Sequence, residues 1–191
     1  MTDFISFPFY DLFHENGHVP KIREKLPSLL TGVTRSIVEI GAGTGLITTS
    51  LADCTPAEIF ALEPSAGMRA VLLSRLAGRP ELLERVTVLP YDALSLDLPE
   101  PAEAMVMINV MYALEPDYRK RMWPVLAEQL EPGGLLAFTW RAGGARRRVR
   151  SRRWSRAGWA GTPTGSWWRS PRRARRRTRP AICIRSSRTT R

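Results

Sequence analysis

The chain of 191 residues has only two cysteines, Cys54 and Cys183, and two histidines, His14 and His18. The cysteines fall in different halves with no metal or redox spacing, which argues against a disulfide framework and makes a reducing cytoplasm the expected location. No metal-ligand pattern is present. The N-terminus has acids among its aromatics and lacks the apolar run of a signal peptide. The longest apolar stretch, 104–114, is interrupted by Asn109 and is too short to span a bilayer. Acidic residues are missing altogether beyond position 140, and lysine is nearly absent from the whole chain.

The net charge of +11 therefore describes neither part of the molecule. Residues 1–140 hold all 18 acids and 11 of the 29 basic residues, a balance of −7; residues 141–191 hold the other 18 basic residues, all arginine. The length suits one main core. The sequence divides into an α/β domain over 1–140, with 1–32 as an N-terminal helical segment, and an Arg-rich tail over 141–191.

What is present is concentrated in Val38-Glu39-Ile40-Gly41-Ala42-Gly43-Thr44-Gly45. The apolar run 36–40 reads as a buried strand, and 46–52 as the start of a helix. Three glycines at alternate positions leave a turn without side chains, so a ligand can approach the backbone closely. The helix that follows points its unsatisfied N–H groups and positive dipole end toward that turn, and Glu39 adds an acceptor beside it. A dinucleotide fingerprint would need glycine where Leu46 stands, and a phosphate loop of the Walker type would need a lysine that is absent.

The pattern E-x-G-x-G-x-G resembles motif I of the class I S-adenosylmethionine-dependent methyltransferases, and the next hundred residues extend the resemblance. The second strand, 58–62, ends in Glu63-Pro64-Ser65. A carboxylate there has two oxygens, enough to accept both hydroxyls of a ribose, and in the family this is the ribose-binding acid. A third strand from Val86 leads into Pro90-Tyr91-Asp92-Ala93. The resemblance assigns Asp92 to the adenine amino group and the Ala93 N–H to the ring, while an N-cap role for Asp92 is the plainer, compatible reading. A continuous apolar strand, 104–108, ends in Asn109-Val110-Met111-Tyr112, which the family places near the methyl group and substrate. Glu131-Pro132-Gly133-Gly134 reads as a sharp helix stop before a fifth strand over 135–140, and "L-E-P-G-G-L-L-A-F" at 130–138 resembles a further family signature.

The implied fold is a doubly wound parallel sheet with helices on both faces, five strands alternating with helices. The implied cofactor is S-adenosyl-L-methionine, with Glu39, Gly41, Ala42, Gly43, Gly45, Glu63, Pro64, Asp92, Ala93 and Asn109 around it. The segment 1–20 reads as aromatic and irregular, broken by Pro8 and Pro20. Val19, Ile22, Leu26, Leu29 and Leu30 then follow at helical spacing. By the resemblance this segment folds over the cofactor, with Tyr10, Phe13, His14 and His18 lining a lid; packing of the first helix is the alternative use of these aromatics. His14, His18 and Tyr112 are the candidate catalytic residues, because an oxygen acceptor of high pKa needs a base within reach. Carbon or nitrogen acceptors need none. The absence of an Asn-Pro-Pro-Tyr signature after the fourth strand favours a small-molecule methyl acceptor.

The resemblance stops near Trp140. A complete member continues with a helix and a strand pair that closes the sheet, and the tail lacks the apolar periodicity for one. Its composition predicts disorder. Two readings compete for it: a phosphate-binding tail, with Trp154, Trp159, Trp167 and Trp168 interleaved for stacking, or out-of-frame translation of a GC-rich gene. The total lack of lysine and acids favours the second. Competing functions are a catalytically dead cofactor-binding fragment and a nucleic-acid-binding protein acting through the tail. On either reading of the tail, the purified protein is expected to bind nucleic acid non-specifically, with affinity falling steeply as salt rises. Titration at low and high salt checks this; affinity independent of salt would refute it.

Overall fold

The computed structural model describes residues 7–142 and 146–153, with only the backbone course defined for 7, 8, 141, 142 and 146–153. Phe4, and the expectation of disorder over 154–191 with its four tryptophans, lie outside the described residues.

Six strands form one sheet. They are β1 (Ser36–Ile40), β2 (Glu58–Leu62), β3 (Val86–Leu89), β4 (Ala102–Met107), β5 (Leu130–Ala142) and β6 (Arg146–Arg153). Their order is β3-β2-β1-β4-β5-β6; the first five are parallel, and β6 is antiparallel to β5. From β1 the chain moves outward through β2 to β3, then returns to the other side of β1 for β4 and β5. The crevice at the carboxyl ends of β1 and β4 is therefore the topological switch point, the usual ligand position in such sheets.

Alternation of side chains along the strands makes two cores. Ile37, Ile59, Ala61, Ala104 and Val106 point to a face covered by α2 (Val19–Arg23), α3 (Leu26–Leu29), α4 (Leu46–Cys54), α5 (Ala66–Ala77) and α6 (Pro80–Leu83). Val38, Ile40, Leu62, Met105 and Met107 point to the other, covered by Met122 and Leu126 of α7 (Pro116–Gln129) and by the 3-10 turn Ala93–Ser95. Helices on both faces of a parallel sheet are thus present, as expected. Ser65 caps α5 by accepting from the Met68 N–H, and Pro116 occupies the first turn of α7.

Four local expectations are corrected. Residues 7–15 are not irregular but form α1 (Phe7–Glu15), because Pro8 sits in the first turn, where its missing N–H is not needed. The apolar periodicity of 19–30 does not run through one helix; it is split into α2 and α3, since Pro27 cannot donate to the preceding turn and stands in the first turn of a new helix. The segment after α7 joins β5 from Leu130, with a register shift opposite Ala102–Ala104 that absorbs Pro132 and Gly133. Finally, the Arg-rich segment does supply one strand. β5 presents a row of backbone donors and acceptors at the sheet edge, and an extended chain satisfies them whatever its side chains; 146–153 pairs with 135–142 throughout. The usual strand pair is still not seen among the described residues.

The glycine turn is set by packing as well as by ligand access. Gly41, Gly43 and Gly45 all have positive φ. A Cβ on Gly41 would lie 2.5 Å from Val110 Cγ2, and one on Gly45 would lie 2.4 Å from Leu72 Cδ1; Leu72 is fully buried and has no room to yield. Gly32 shares the φ of Gly45, 84°, but a Cβ there would meet nothing within 4 Å. Gly32→Ala should therefore cost only the backbone penalty, about 1 kcal/mol, and Gly45→Ala about 2–4 kcal/mol because it also overpacks α5. Chemical denaturation of the two variants measures the difference; equal losses would contradict this account of the turn.

Candidate functional site

Two carboxylates stand at the carboxyl ends of neighbouring strands. Glu63, just past β2, is 8% exposed. Its Oε2 accepts from the Gly43 N–H at 2.9 Å, and its Oε1 accepts from the Ser65 N–H at 2.9 Å. The side chain thereby pins the glycine turn to the start of α5, alongside the Gly41 and Ala42 N–H groups, which donate to the Leu62 carbonyl. Each carboxylate oxygen carries two lone-pair sites, so acceptor capacity remains.

Glu39, in β1, is 2% exposed, and its Oε2 has no hydrogen-bond partner among the described residues. Burial pushes its carboxyl up to about 8 and the nearby Glu63 charge adds to this, while the Thr48 hydroxyl pulls the other way. That hydroxyl, on α4, is itself buried. A buried carboxyl of this kind is held neutral at pH 7 and awaits a cation or a donor.

The N-terminal helix α1 lies against the turn. The Tyr10 hydroxyl stands 3.7 Å from where a Gly43 Cβ would be. Asp11 accepts from the Thr44 hydroxyl and from Arg75 of α5, and Arg75 Nε also donates to the Thr44 carbonyl at 2.9 Å. Arg23 ties α2 to α1 through Glu15 and donates to the Leu46 carbonyl at 3.2 Å. Nothing in the sequence pattern singled out Asp11, Arg75 or Thr44, since each acts through a partner 31 or more residues away.

His14, 4% exposed, packs its ring 4.3 Å from that of Tyr10 and 6.1 Å from that of His18. Both histidines meet Asn109 at the tip of β4: His18 Nε2 is 2.5 Å from Asn109 Oδ1, and His14 Nδ1 is 3.4 Å from Asn109 Nδ2. The structure therefore brings Asn109 together with His14 and His18, 95 and 91 residues away in sequence, beside a site bordered by Glu39, Gly41, Ala42, Gly43, Gly45 and Glu63. Pro64 is exposed, and Tyr112 is 45% exposed on the turn after β4. Asp92 lies past β3, with β2 between it and the glycine turn, and its Oδ1 caps the 3-10 turn by accepting from the Leu94 and Ser95 N–H groups. Ala93 is buried in that turn. Tyr118 of α7 has its hydroxyl pKa raised by burial and by the Asp92 charge.

Comparison with known proteins bears on this arrangement. The profile of the "Methyltransferase domain" family matches residues 37–134. An uncharacterized methyltransferase of Mycobacterium tuberculosis strain H37Rv is 29% identical over 127 residues, 66% of this chain and 48% of that protein; the chain spans about half the length of the curated relatives it matches. Among solved structures, the glycopeptide N-methyltransferase MtfA complexed with sinefungin superposes with a TM-score of 0.58 at 25% identity, covering 64% of this chain and 51% of that one. The N-methyltransferase NodS from Bradyrhizobium japonicum does so with a TM-score of 0.56 at 19% identity, covering 64% and 67%, a likeness of fold.

The Glu39 carboxyl makes stability depend on pH in a definite sense. Its folded pKa, about 8, lies above the ordinary carboxyl value, so the folded chain holds a proton that the unfolded chain releases. The contribution is fully present below about pH 4.5 and is lost as pH rises to about 8. Wild-type protein should thus lose a few kcal/mol of unfolding free energy over that window, and Glu39→Gln should be spared most of the loss. Urea denaturation at pH 5, 6.5 and 8 measures this; parallel curves for the two proteins would contradict a neutral Glu39.

Proposed function

The chain belongs to the methyltransferase-domain family, and from that premise we propose that it transfers a methyl group from S-adenosyl-L-methionine to a small-molecule heteroatom acceptor. The observation that carries the proposal is the pair of buried carboxylates, Glu39 and Glu63, at the tips of adjacent strands around a side-chain-free turn.

The residues present fit that cofactor. Glu63 retains lone pairs for ribose hydroxyls while holding the Gly43 and Ser65 N–H groups. Glu39 Oε2, buried and without a hydrogen bond among the described residues, suits the cationic amino-acid end of the cofactor, which would draw the carboxyl into its charged form. Gly41, Ala42, Gly43 and Gly45 supply the close backbone, and Asn109 borders the site from β4. Asp92 and Ala93, after β3, would lie toward the adenine end, two strands along, and Pro64 beside Glu63 after β2.

When bound, the cofactor supplies an activated methyl group on a sulfonium. The chain's own task is to orient the acceptor, exclude water and take up a proton. The lid formed by α1 and α2 excludes water over the turn through Tyr10 and the Asp11–Thr44–Arg75 contacts. His14 and His18 are the candidate proton acceptors, and Tyr112 a candidate contact for the acceptor molecule. An amine acceptor suits this set, because it arrives as an ammonium ion and must shed a proton before it attacks; the N-methyltransferase MtfA, which the fold matches, is in keeping with it. We place the protein in the cytoplasm, with the cofactor held by residues 1–140 and the Arg-rich segment able to contact nucleic acid without sequence preference. Among the described residues no helix is long and apolar enough to cross a membrane.

Calorimetry with S-adenosylmethionine tests the proposal. Glu63→Gln retains the size of the side chain but weakens its acceptors, and should cost about 1–3 kcal/mol of cofactor binding. An unchanged dissociation constant would show that the ribose is held elsewhere, and absence of binding to the wild type would remove the functional reading.

A further inference from the structure

Asn109 is the one non-glycine residue with positive φ among the described residues, at 66°. Glycine would adopt that conformation freely; an L-residue there is strained, asparagine less than most. The backbone is held in place by its own N–H, which donates to Thr139 Oγ1 at 2.7 Å, and Thr139 is 2% exposed on β5. A strained residue that keeps a side chain where glycine would be easier points to a use for that side chain. The use visible here is the amide, which reaches both lid histidines.

Resting on the proposed methyl transfer, we infer that Asn109 is a positioning residue: its left-handed backbone aims the carboxamide so that Oδ1 accepts the His18 Nε2–H and fixes that imidazole as the tautomer with its lone pair on Nδ1. The amide orientation is internally consistent, since Nδ2 faces His14 Nδ1, which accepts in the same arrangement. A neutral amide orients the ring without adding the charge a carboxylate would bring. In the reaction, His18 would take the proton leaving the acceptor heteroatom. The electron pair left behind would form the bond to the methyl carbon, the carbon–sulfur pair going to sulfur. The resulting imidazolium keeps its Nε2–H on Asn109 Oδ1.

The experiment uses the full chain. With only two histidines in the sequence, imidazole 15N shifts are readily assigned, using His14→Gln to mark one of them. Wild-type protein should show His18 protonated at Nε2 and not at Nδ1 near neutral pH. Asn109→Gly, which suits the backbone and removes the amide, should give a mixture of tautomers while folding as well as the wild type. Asn109→Asp, which restores an acceptor, should return the Nε2–H tautomer. In turnover assays Asn109→Gly should lower kcat by about 10- to 100-fold. A wild-type His18 protonated at Nδ1, or an Asn109→Gly tautomer pattern unchanged from the wild type, would overturn the inference. If the chain transfers no methyl group, the functional reading fails on its own, and the tautomer measurement still decides what Asn109 does to His18.

Discussion

The interaction on which the rest depends is the hydrogen bond from the Gly43 N–H to the Glu63 carboxylate. It joins the turn after β1 to the tip of β2, and the other oxygen of the same side chain holds the start of α5 through the Ser65 N–H. Three elements that must be in register for a nucleoside site are thus fixed by one buried charge-assisted contact, stronger than a bond between neutral groups. The turn it pins is further confined by Val110 against Gly41 and Leu72 against Gly45. Only Gly43, of the three glycines, faces the lid side and Tyr10. Glu39 sits beside this arrangement as its electrostatic counterpart, buried with its Oε2 lacking a hydrogen-bond partner among the described residues. One carboxylate builds the site; the other is left for what enters it.

Much of this was legible in the sequence because it depends on local chemistry. β-branched runs gave the central strands, the E-x-G-x-G-x-G spacing marked the turn, and Glu63 fell at a strand tip where an acid has a geometric reason to be. Ser65 and Pro116 announced helix starts through capping and the fixed φ of proline. What was not legible depended on contacts between distant segments. α1 looked irregular because its aromatics show no clean stripe, and Phe9 and Phe13 are indeed 63% exposed; its order comes from Asp11, His14 and Tyr10 reaching the turn and β4. The split between α2 and α3 was written in Pro27 but hidden by a hydrophobic periodicity that continues across it. Strand β6 had no signal of its own, since its pairing satisfies the edge of β5 rather than any preference of its arginines.

The lid and the sheet also share their polar contacts unevenly. Asp11 is bound by two partners from different elements, Thr44 and Arg75, and its side chain is only partly exposed. The histidine pair meets β4 through a single strained residue, Asn109, whose conformation Thr139 secures. The acidic character of residues 1–140 is thus put to structural use at the crevice, while the arginine-rich strand β6 lies along the far edge of the sheet, on the other side of β5.

The central claim is that a buried, neutral Glu39 becomes charged when a cationic ligand seats in the turn pinned by Glu63. Titration calorimetry of S-adenosylmethionine at pH 7, in buffers of different ionisation enthalpy, measures this directly by counting protons exchanged on binding. Release of close to one proton per site, abolished in Glu39→Gln, is the predicted result. Binding without proton release, or with release that survives Glu39→Gln, would contradict it.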